Sequence, residues 1–204
     1  MCGHEYKRKL MVVGRATNGW THSFRRQQLL APRGPERWAQ RAREDSEDDE
    51  CPMLWVARCW GARKGYNTKG SAFWRVSGTV ASELLGIELS DLQWPSQMAW
   101  SNLYKVAPAA RKNPGNRLCR VQLETTAELL RREVAELKPK RVLVLAGGDW
   151  FEDFEKPLGL DVSWTKGLIE GVAESRGTRW VIGPHPQGKK ERPLVRAIRN
   201  AFDT

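Results

Sequence analysis

The run at residues 141–148 (RVLVLAGG), which is apolar throughout after Arg141, constrains the fold of this chain more than any other segment. Such a run is typical of a strand that is buried on both faces, as in a parallel sheet covered by helices. The pattern LETTAELLRREVAEL, within residues 122–137, predicts an amphipathic helix directly before it. Apolar periodicity predicts further strands and helices at residues 9–13, 73–85, 98–103, 180–183 and 192–202. Strands that alternate with helices predict an α/β fold, a three-layer α/β/α sandwich with a mostly parallel central sheet.

Residues 21–70 interrupt this alternation. They contain a basic part followed by an acidic run at residues 44–50, which is typical of a solvated face or loop. Residues 36–43 have helical spacing, and residues 53–60 fit either a helix or a strand. We interpret residues 1–204 as one domain with an irregular insertion at about residues 21–70.

The composition favours a polyanionic partner. The net charge is +10 and ten tryptophans are present, several beside basic residues, as a base-stacking surface requires. We therefore expect DNA as the partner, no membrane contact and a monomer without an obligate protein partner.

Targeting and metal-binding patterns are not found in the sequence. There is no apolar run of membrane-spanning length, and the first residues lack the apolar core of a signal peptide, so we expect a cytoplasmic protein. None of the four cysteines forms a C-x-x-C pair. We expect no disulfide framework, no metal and no cofactor.

A histidine stands in a loop that two prolines stiffen. The strand at residues 180–183 leads into Pro184, His185 and Pro186, and Gly188, Lys189 and Lys190 follow at once. A positioned imidazole beside concentrated positive charge suits chemistry on an anionic polymer, although a surface histidine in a turn is the alternative. Because ligands of parallel sheets bind beyond the carboxyl ends of the strands, the loops at Gly14, Asn102, Gly147 and His185 should share one site.

Six segments follow one another in a particular order. They are residues 14–18 (GRATN), Phe73 with Gly78, residues 102–108 (NLYKVAP) with 115–117 (GNR), residues 139–140 (PK), 143–147 (LVLAG) and 185–187 (HPQ). Together they resemble the motifs of the uracil-DNA glycosylase superfamily, in particular the bacterial branches whose first motif reads GEAPG. The resemblance covers most of the chain outside residues 21–70. It implies that superfamily's fold and an enzyme that flips a base out of DNA and hydrolyses its N-glycosidic bond.

The resemblance also implies a role for individual residues. Phe73 would stack on the everted base, Asn102 would hydrogen-bond its pyrimidine edge, and His185 would donate to the base carbonyl as negative charge develops. An alternative is that Phe73 is core and Trp74 faces the pocket. The remaining base-binding residues would be Gly14, Ala16 and Trp20, and the DNA-backbone residues would be Gly188, Lys189, Lys190 and Arg192.

The first motif departs from the superfamily in ways that bear on the substrate. Ala16 stands where the best-known branch has a water-positioning aspartate, and Asn18 can orient a water without accepting its proton. Asn18 and Gly19 also open the space where that branch has a tyrosine against the pyrimidine 5-position, unless Trp20 fills it. We therefore expect either uracil or a bulky 5-modified cytosine of phage DNA, hydroxymethylated or glucosylated, as substrate. Val106 stands where the GEAPG branches carry a cluster cysteine, so we expect no iron–sulfur cluster.

Two other functions remain open at this point. A clear general base is missing from the motifs, which allows a non-catalytic DNA-binding module on the same fold. A nucleoside or nucleotide hydrolase is the other alternative, but the sequence has no G-x-G-x-x-G or Walker pattern.

Overall fold

A computed structural model describes residues 1–17, 51–108 and 112–204. In this part of the chain a six-stranded sheet forms the centre of an α/β fold. Its strands are β1 (Leu10–Ala16), β2 (Ala99–Tyr104), β3 (Arg141–Val144), β4 (Ser163–Trp164), β5 (Gly171–Ser175) and β6 (Thr178–Ile182). The strand order is β2-β1-β3-β6-β5-β4. The four strands β2, β1, β3 and β6 are mutually parallel, whereas β5 and β4 add an antiparallel edge.

Helices flank the sheet. They are α1 (Trp55–Arg58), α2 (Ala72–Leu85), α3 (Asn116–Leu137), α4 (Gly148–Leu158) and α5 (Glu191–Asp203), and a 3-10 turn spans Trp94–Gln97. The described residues contain no helix with the length and apolar character that crossing a membrane requires.

Alternate residues of the parallel strands enter two separate hydrophobic cores. Leu10 and Val12 of β1 join the core beneath α2 and α5, whereas Met11 and Val13 join the core beneath α3 and α4. All four side chains are fully buried. This two-sided burial explains why the parallel strands read as continuous apolar runs.

The predicted α/β fold with a mostly parallel sheet is confirmed, and several boundaries differ. Helix α3 begins at Asn116, six residues before the predicted start, and β3 ends at Val144 although Leu145 and Ala146 remain buried. Helix α4 and strands β4 and β5 were not predicted. The left-handed backbone of Gly147 (φ 95°) ends the apolar run and allows α4 to begin directly.

The described part of the insertion, residues 51–70, belongs to the core. Cys51, Met53 and Val56 are fully buried against α2 and the sheet, and the segment that fitted a helix or a strand forms α1. The helix predicted at residues 36–43 and the acidic run at residues 44–50 lie outside the described residues.

Candidate functional site

A large cavity opens at the carboxyl ends of the parallel strands. Its volume is about 1320 Å³. Residues from β1, β2, α2 and the loop after β6 line it, and so does the segment 55–70 from the insertion. Among its lining residues are seven predicted ones: Gly14, Ala16, Phe73, Asn102, His185, Gly188 and Lys189. The structure thus brings residues that are remote along the chain to one place.

Gly14 allows the closest approach in this cavity. A Cβ atom built on Gly14 would lie 2.6 Å from Asn102 Oδ1 and 3.3 Å from Phe73 Cε2. Strand pairing sets this arrangement, because Gly14 is the register partner of Asn102 in the β1–β2 ladder. A side chain at position 14 would therefore occupy the space of the Asn102 amide and the Phe73 ring.

Asn102 is buried, with 6% of its surface exposed, and lines the cavity. Within the described ranges, none of the hydrogen bonds involves its side-chain amide. The Asn102 side chain thus offers one acceptor and two donor hydrogens to a ligand.

Phe73 and Trp74 differ in burial. Trp74 is 2% exposed and packs edge-on against Trp55 and Trp100 in the core, although its residue also borders the cavity. Phe73 is half-buried, and its ring lies beside Gly14. Phe73 is therefore the ring better placed to contact a ligand over a face.

His185 is half-buried at the rim of the cavity. Burial lowers the pKa of its imidazole, and the nearby Arg15 guanidinium lowers that pKa further. The backbone N–H of Gln187 donates to His185 Nδ1 over 3.3 Å. Because Nδ1 accepts this hydrogen bond, the neutral imidazole carries its proton on Nε2, which is then the donor available to a ligand.

Arg15 joins the large cavity to a smaller one of about 440 Å³. Its Nε donates to the Ala146 carbonyl over 2.5 Å, and its guanidinium lies 5.1 Å from the centroid of the Trp150 ring. Burial lowers the pKa of Arg15, partly offset by Asp149 and Glu170, which also line the smaller cavity. Strand alternation explains this position, because Arg15 points away from the face that Gly14 presents to Phe73.

An aromatic wall, formed by Trp55, Tyr66, Trp74 and Trp100, borders the large cavity. Trp55 lies 6.2 Å from Tyr66 and 5.8 Å from Trp100 between ring centroids. Tyr66 is 45% exposed, so its ring is open to solvent. Two of these rings come from the described part of the insertion, which extends the cavity well beyond Phe73.

An ion pair holds one side of the cavity. Arg75 of α2 donates to both carboxylate oxygens of Glu191 at the start of α5, with the shortest distance 2.6 Å. Arg75 also donates to the Lys69 carbonyl over 2.7 Å. The pair links α2, which carries Phe73, to the start of α5, which follows the loop that carries His185.

The predicted DNA-backbone residues divide into two groups. Gly188 and Lys189 line the cavity, whereas Lys190 and Arg192 are exposed at the beginning of α5 and do not line it. Lys190 is the residue directly before that helix. These residues leave a positively charged edge next to His185.

Two predicted residues cannot be placed. Asn18, the expected water-orienting residue, and Trp20, expected near the base, lie outside the described residues.

Several cavity residues were not predicted. Arg15, Trp55, Tyr66, Arg75 and Trp100 all line the large cavity. Trp100 could have been predicted from the sequence, because it lies two residues before Asn102 in the same strand and therefore on the same face of the sheet. Nothing in the sequence indicates that Trp55 and Tyr66 reach the sheet.

Metal ligation is a separate question. Across residues 1–17, 51–108 and 112–204, no three His, Cys, Asp or Glu side chains come together as ligands would. The four cysteines are free thiols.

A scan against protein-family models gives no match to this chain, and a search of curated proteins gives none either.

Proposed function

We propose that this chain is a DNA glycosylase of the uracil-DNA glycosylase superfamily, which flips a pyrimidine out of DNA and hydrolyses its N-glycosidic bond. The observation that carries the proposal is the amide of Asn102, which hydrogen-bonds no described residue and lines a cavity shared with Phe73 and His185. An amide with free donors and an acceptor matches the edge of a pyrimidine. An adjacent aromatic ring matches its face.

The chemistry follows from the charge that the leaving base acquires. As the bond between C1′ and the base nitrogen breaks, the electron pair passes to the base and collects on its carbonyl oxygen. The Nε2–H of His185 donates a hydrogen bond to that oxygen. Water then adds to the sugar cation and loses a proton to the solvent, the base anion takes up a proton in turn, and an abasic site remains. One such donor contributes about 2.7–4 kcal/mol to transition-state stabilisation.

A neutral imidazole suits this task. The lowered pKa of His185 keeps the ring uncharged at neutral pH, and the Gln187 N–H holds the proton on Nε2. Arg15 supplies fixed positive charge near the leaving base without donating a proton itself. Bond cleavage before water attack reduces the need for a strong general base.

The aromatic wall favours a bulky 5-modified cytosine over plain uracil. The cavity, at about 1320 Å³, has room for a base that carries a large 5-substituent. The aromatic wall beyond Phe73 offers ring faces to a large substituent such as a sugar. Excision of such a base from phage DNA would be an antiviral activity.

The proposal is tested by incubating the protein with single- and double-stranded DNAs that contain uracil, 5-hydroxymethylcytosine or its glucosylated form. Mass spectrometry of the freed bases gives the readout. The proposal predicts a free base with an equal number of abasic sites, and a preference for the glucosylated base. Preference for uracil would reject the substrate assignment alone, whereas DNA binding without any base release would reject the glycosylase.

The Tyr66→Ala variant separates the base pocket from the aromatic wall. We expect it to slow release of the glucosylated base by about fivefold to 160-fold, since one stacking contact contributes roughly 1–3 kcal/mol. Release of uracil, if measurable, should stay unchanged. An equal loss for both bases would mean that the wall does not hold the substituent.

A further inference from the structure

The smaller cavity, of about 440 Å³, adjoins the large one and carries side chains of both charges. Asp149 and Glu170 line the smaller cavity but not the large one. Four residues line both cavities, and these are Arg15, His185, Gln187 and Lys189. The boundary between the two cavities therefore carries a guanidinium, an imidazole and an amine, with two carboxylates beyond it.

A tight turn places Lys189 at this boundary. The backbone N–H of Lys189 donates to the Pro186 carbonyl over 3.0 Å. Gly188, between them, adopts a left-handed backbone with φ 76°, which glycine does without steric cost. The turn reverses the chain after His185, so that Lys189 borders the same two cavities as the imidazole.

The side chains of Lys189 and Asp149 are available for chemistry. Lys189 is exposed, and across the described ranges neither a carboxylate nor a hydrogen-bond partner holds its ammonium. Asp149 is also exposed, and its carboxylate interacts electrostatically with Arg15. Glu170 differs from Asp149, because its carboxylate accepts the Gly148 N–H over 2.5 Å.

The product of the proposed base release is itself reactive. Addition of water at C1′ leaves a hemiacetal that opens to an aldehyde, and a neutral lysine amine adds to such a carbonyl. A base that contacts Asn102 and His185 holds its C1′ at the rim of the large cavity. Lys189 lines that rim four residues after His185. The structure therefore places an amine where an aldehyde is produced.

We propose that Lys189 forms an imine with C1′ of the abasic product and that Asp149 then removes a C2′ proton, so that the strand breaks. The ammonium of Lys189 first loses a proton to the solvent. Its nitrogen then bonds to C1′, the carbonyl oxygen leaves as water, and the imine nitrogen takes up a proton. As the C2′–H bond breaks, its electron pair forms a C2′–C3′ double bond, and the C3′–O bond breaks with its electrons on the departing phosphate. Water hydrolyses the imine and frees Lys189.

The contacts around the cavity identify Asp149 as the base. His185 cannot take the C2′ proton, because its Nε2 already carries one and its Nδ1 accepts the Gln187 N–H. Glu170 is bound to the first residue of α4, as described above. The activity is that of a lyase on abasic DNA. It rests on the proposed glycosylase only for the source of the abasic site.

The first experiment supplies the abasic site directly, so it does not depend on base release. Saturating protein is mixed with an oligonucleotide that contains one aldehydic abasic site, and sodium borohydride reduces any imine to a stable amine. We expect a covalent protein–DNA adduct, and peptide mass spectrometry should locate it on Lys189. Lys189→Arg keeps the positive charge without the amine, so it should lose the adduct.

Lys140→Ala is the matched control for the loss of an exposed lysine. Lys140 directly precedes β3, at the amino ends of the parallel strands and therefore at the opposite edge of the sheet from the cavities. Lys140→Ala should form as much adduct as wild type. A loss of adduct in Lys140→Ala equal to that in Lys189→Arg would contradict the assignment.

The second experiment measures strand cleavage of the same DNA without borohydride, by gel electrophoresis. Wild type should cut the strand on the 3′ side of the abasic site. Asp149→Asn should still form the adduct but cut about 10²-fold more slowly, since a general base contributes about 10²–10⁴-fold. Equal cutting by wild type and Asp149→Asn would overturn the role of Asp149.

The outcomes separate this proposal from the glycosylase itself. Base release without an adduct, or an adduct located on another residue, would reject the role of Lys189 and leave the glycosylase standing. An adduct on Lys189 without strand cleavage would reject the lyase. If no DNA loses a base but supplied abasic DNA is trapped on Lys189 and cut, the glycosylase proposal fails and the lyase stands.

Discussion

Substitution of Gly14 by alanine tests the geometry of the base pocket with a single methyl group. The new Cβ would lie 2.6 Å from Asn102 Oδ1, about 0.8 Å short of ordinary contact. It would also press on the Phe73 ring, whose two nearest atoms are 3.3 and 3.4 Å away. Either the amide, the ring or both must move by several tenths of an ångström.

The expected loss is larger for catalysis than for stability. A misplacement of about 1 Å at a reacting centre costs on the order of 10²-fold in rate. Overpacking by one methyl group costs about 1–3 kcal/mol of unfolding free energy, which most domains tolerate because they are stable by about 5–15 kcal/mol. The Gly14→Ala protein should therefore be folded and slow.

Gly115→Ala is the matched control for this substitution. Gly115 precedes α3 with φ −76°, and a Cβ built there meets no atom within 4 Å. Urea unfolding measures the stability of both variants, and single-turnover base release measures their rates. A folded Gly14→Ala protein that releases the base as fast as wild type would refute the placement of the base against Asn102 and Phe73.

Three further predictions concern His185 and the residues around it. His185→Ala should lower base release by about 10²–10³-fold while DNA affinity changes little; an equal loss of both would assign the imidazole to binding. Arg15→Met should raise the pKa of His185 toward the ordinary imidazole range, because the neighbouring positive charge is gone. Acid slows base release by protonating His185, so this slowing should then begin at a higher pH. Arg15→Lys keeps the charge and should keep the pKa low, and an NMR titration that finds the same pKa in wild type, Met and Lys variants would contradict this cause. Arg75→Met should cost no more than about 1 kcal/mol in urea unfolding, since its pair with Glu191 is about a third exposed; a much larger loss would mean that the pair holds α2 and α5 together.

The parallel half of the fold was predictable because burial on both faces leaves a strong signal. Residues 10–13 are all apolar, and residues 141–144 are apolar after Arg141. Such short apolar runs are typical of strands that are buried on both faces. The hairpin of β4 and β5 gives no such signal. Its strands are short, and β4 is exposed at both residues, so neither alternation nor a continuous run marks it.

Helix α4 was missed although its pattern was present. Phe151 and Phe154 are fully buried at helical spacing, although Gly148 stands at the start of the helix and Pro157 near its end. Pro157 is the second-last residue of α4, and Gly159 ends the helix directly after Leu158.

The candidate site was predictable only where a motif carried it. Asn102 lies in the second half of β2 and His185 in the loop after β6, where the chain order of a known superfamily suggested a role. Arg15, Trp55 and Tyr66 reach the cavity through contacts between elements far apart in sequence, which no local pattern encodes. Arg15 is an example, because its contacts with Ala146 and Trp150 depend on the pairing of β1 with β3 and are not visible in the sequence.

The central claim is that Asn102 recognises the edge of an everted pyrimidine in a pocket where the base is then released. The most direct measurement is mass-spectrometric release of free base by wild type and by Asn102→Leu, which keeps the volume and removes the hydrogen bonds. With two hydrogen bonds at about 1 kcal/mol each, the variant should release the base roughly thirtyfold more slowly while remaining folded. Equal release by the two proteins, or no free base from any DNA that wild type binds, would contradict the claim.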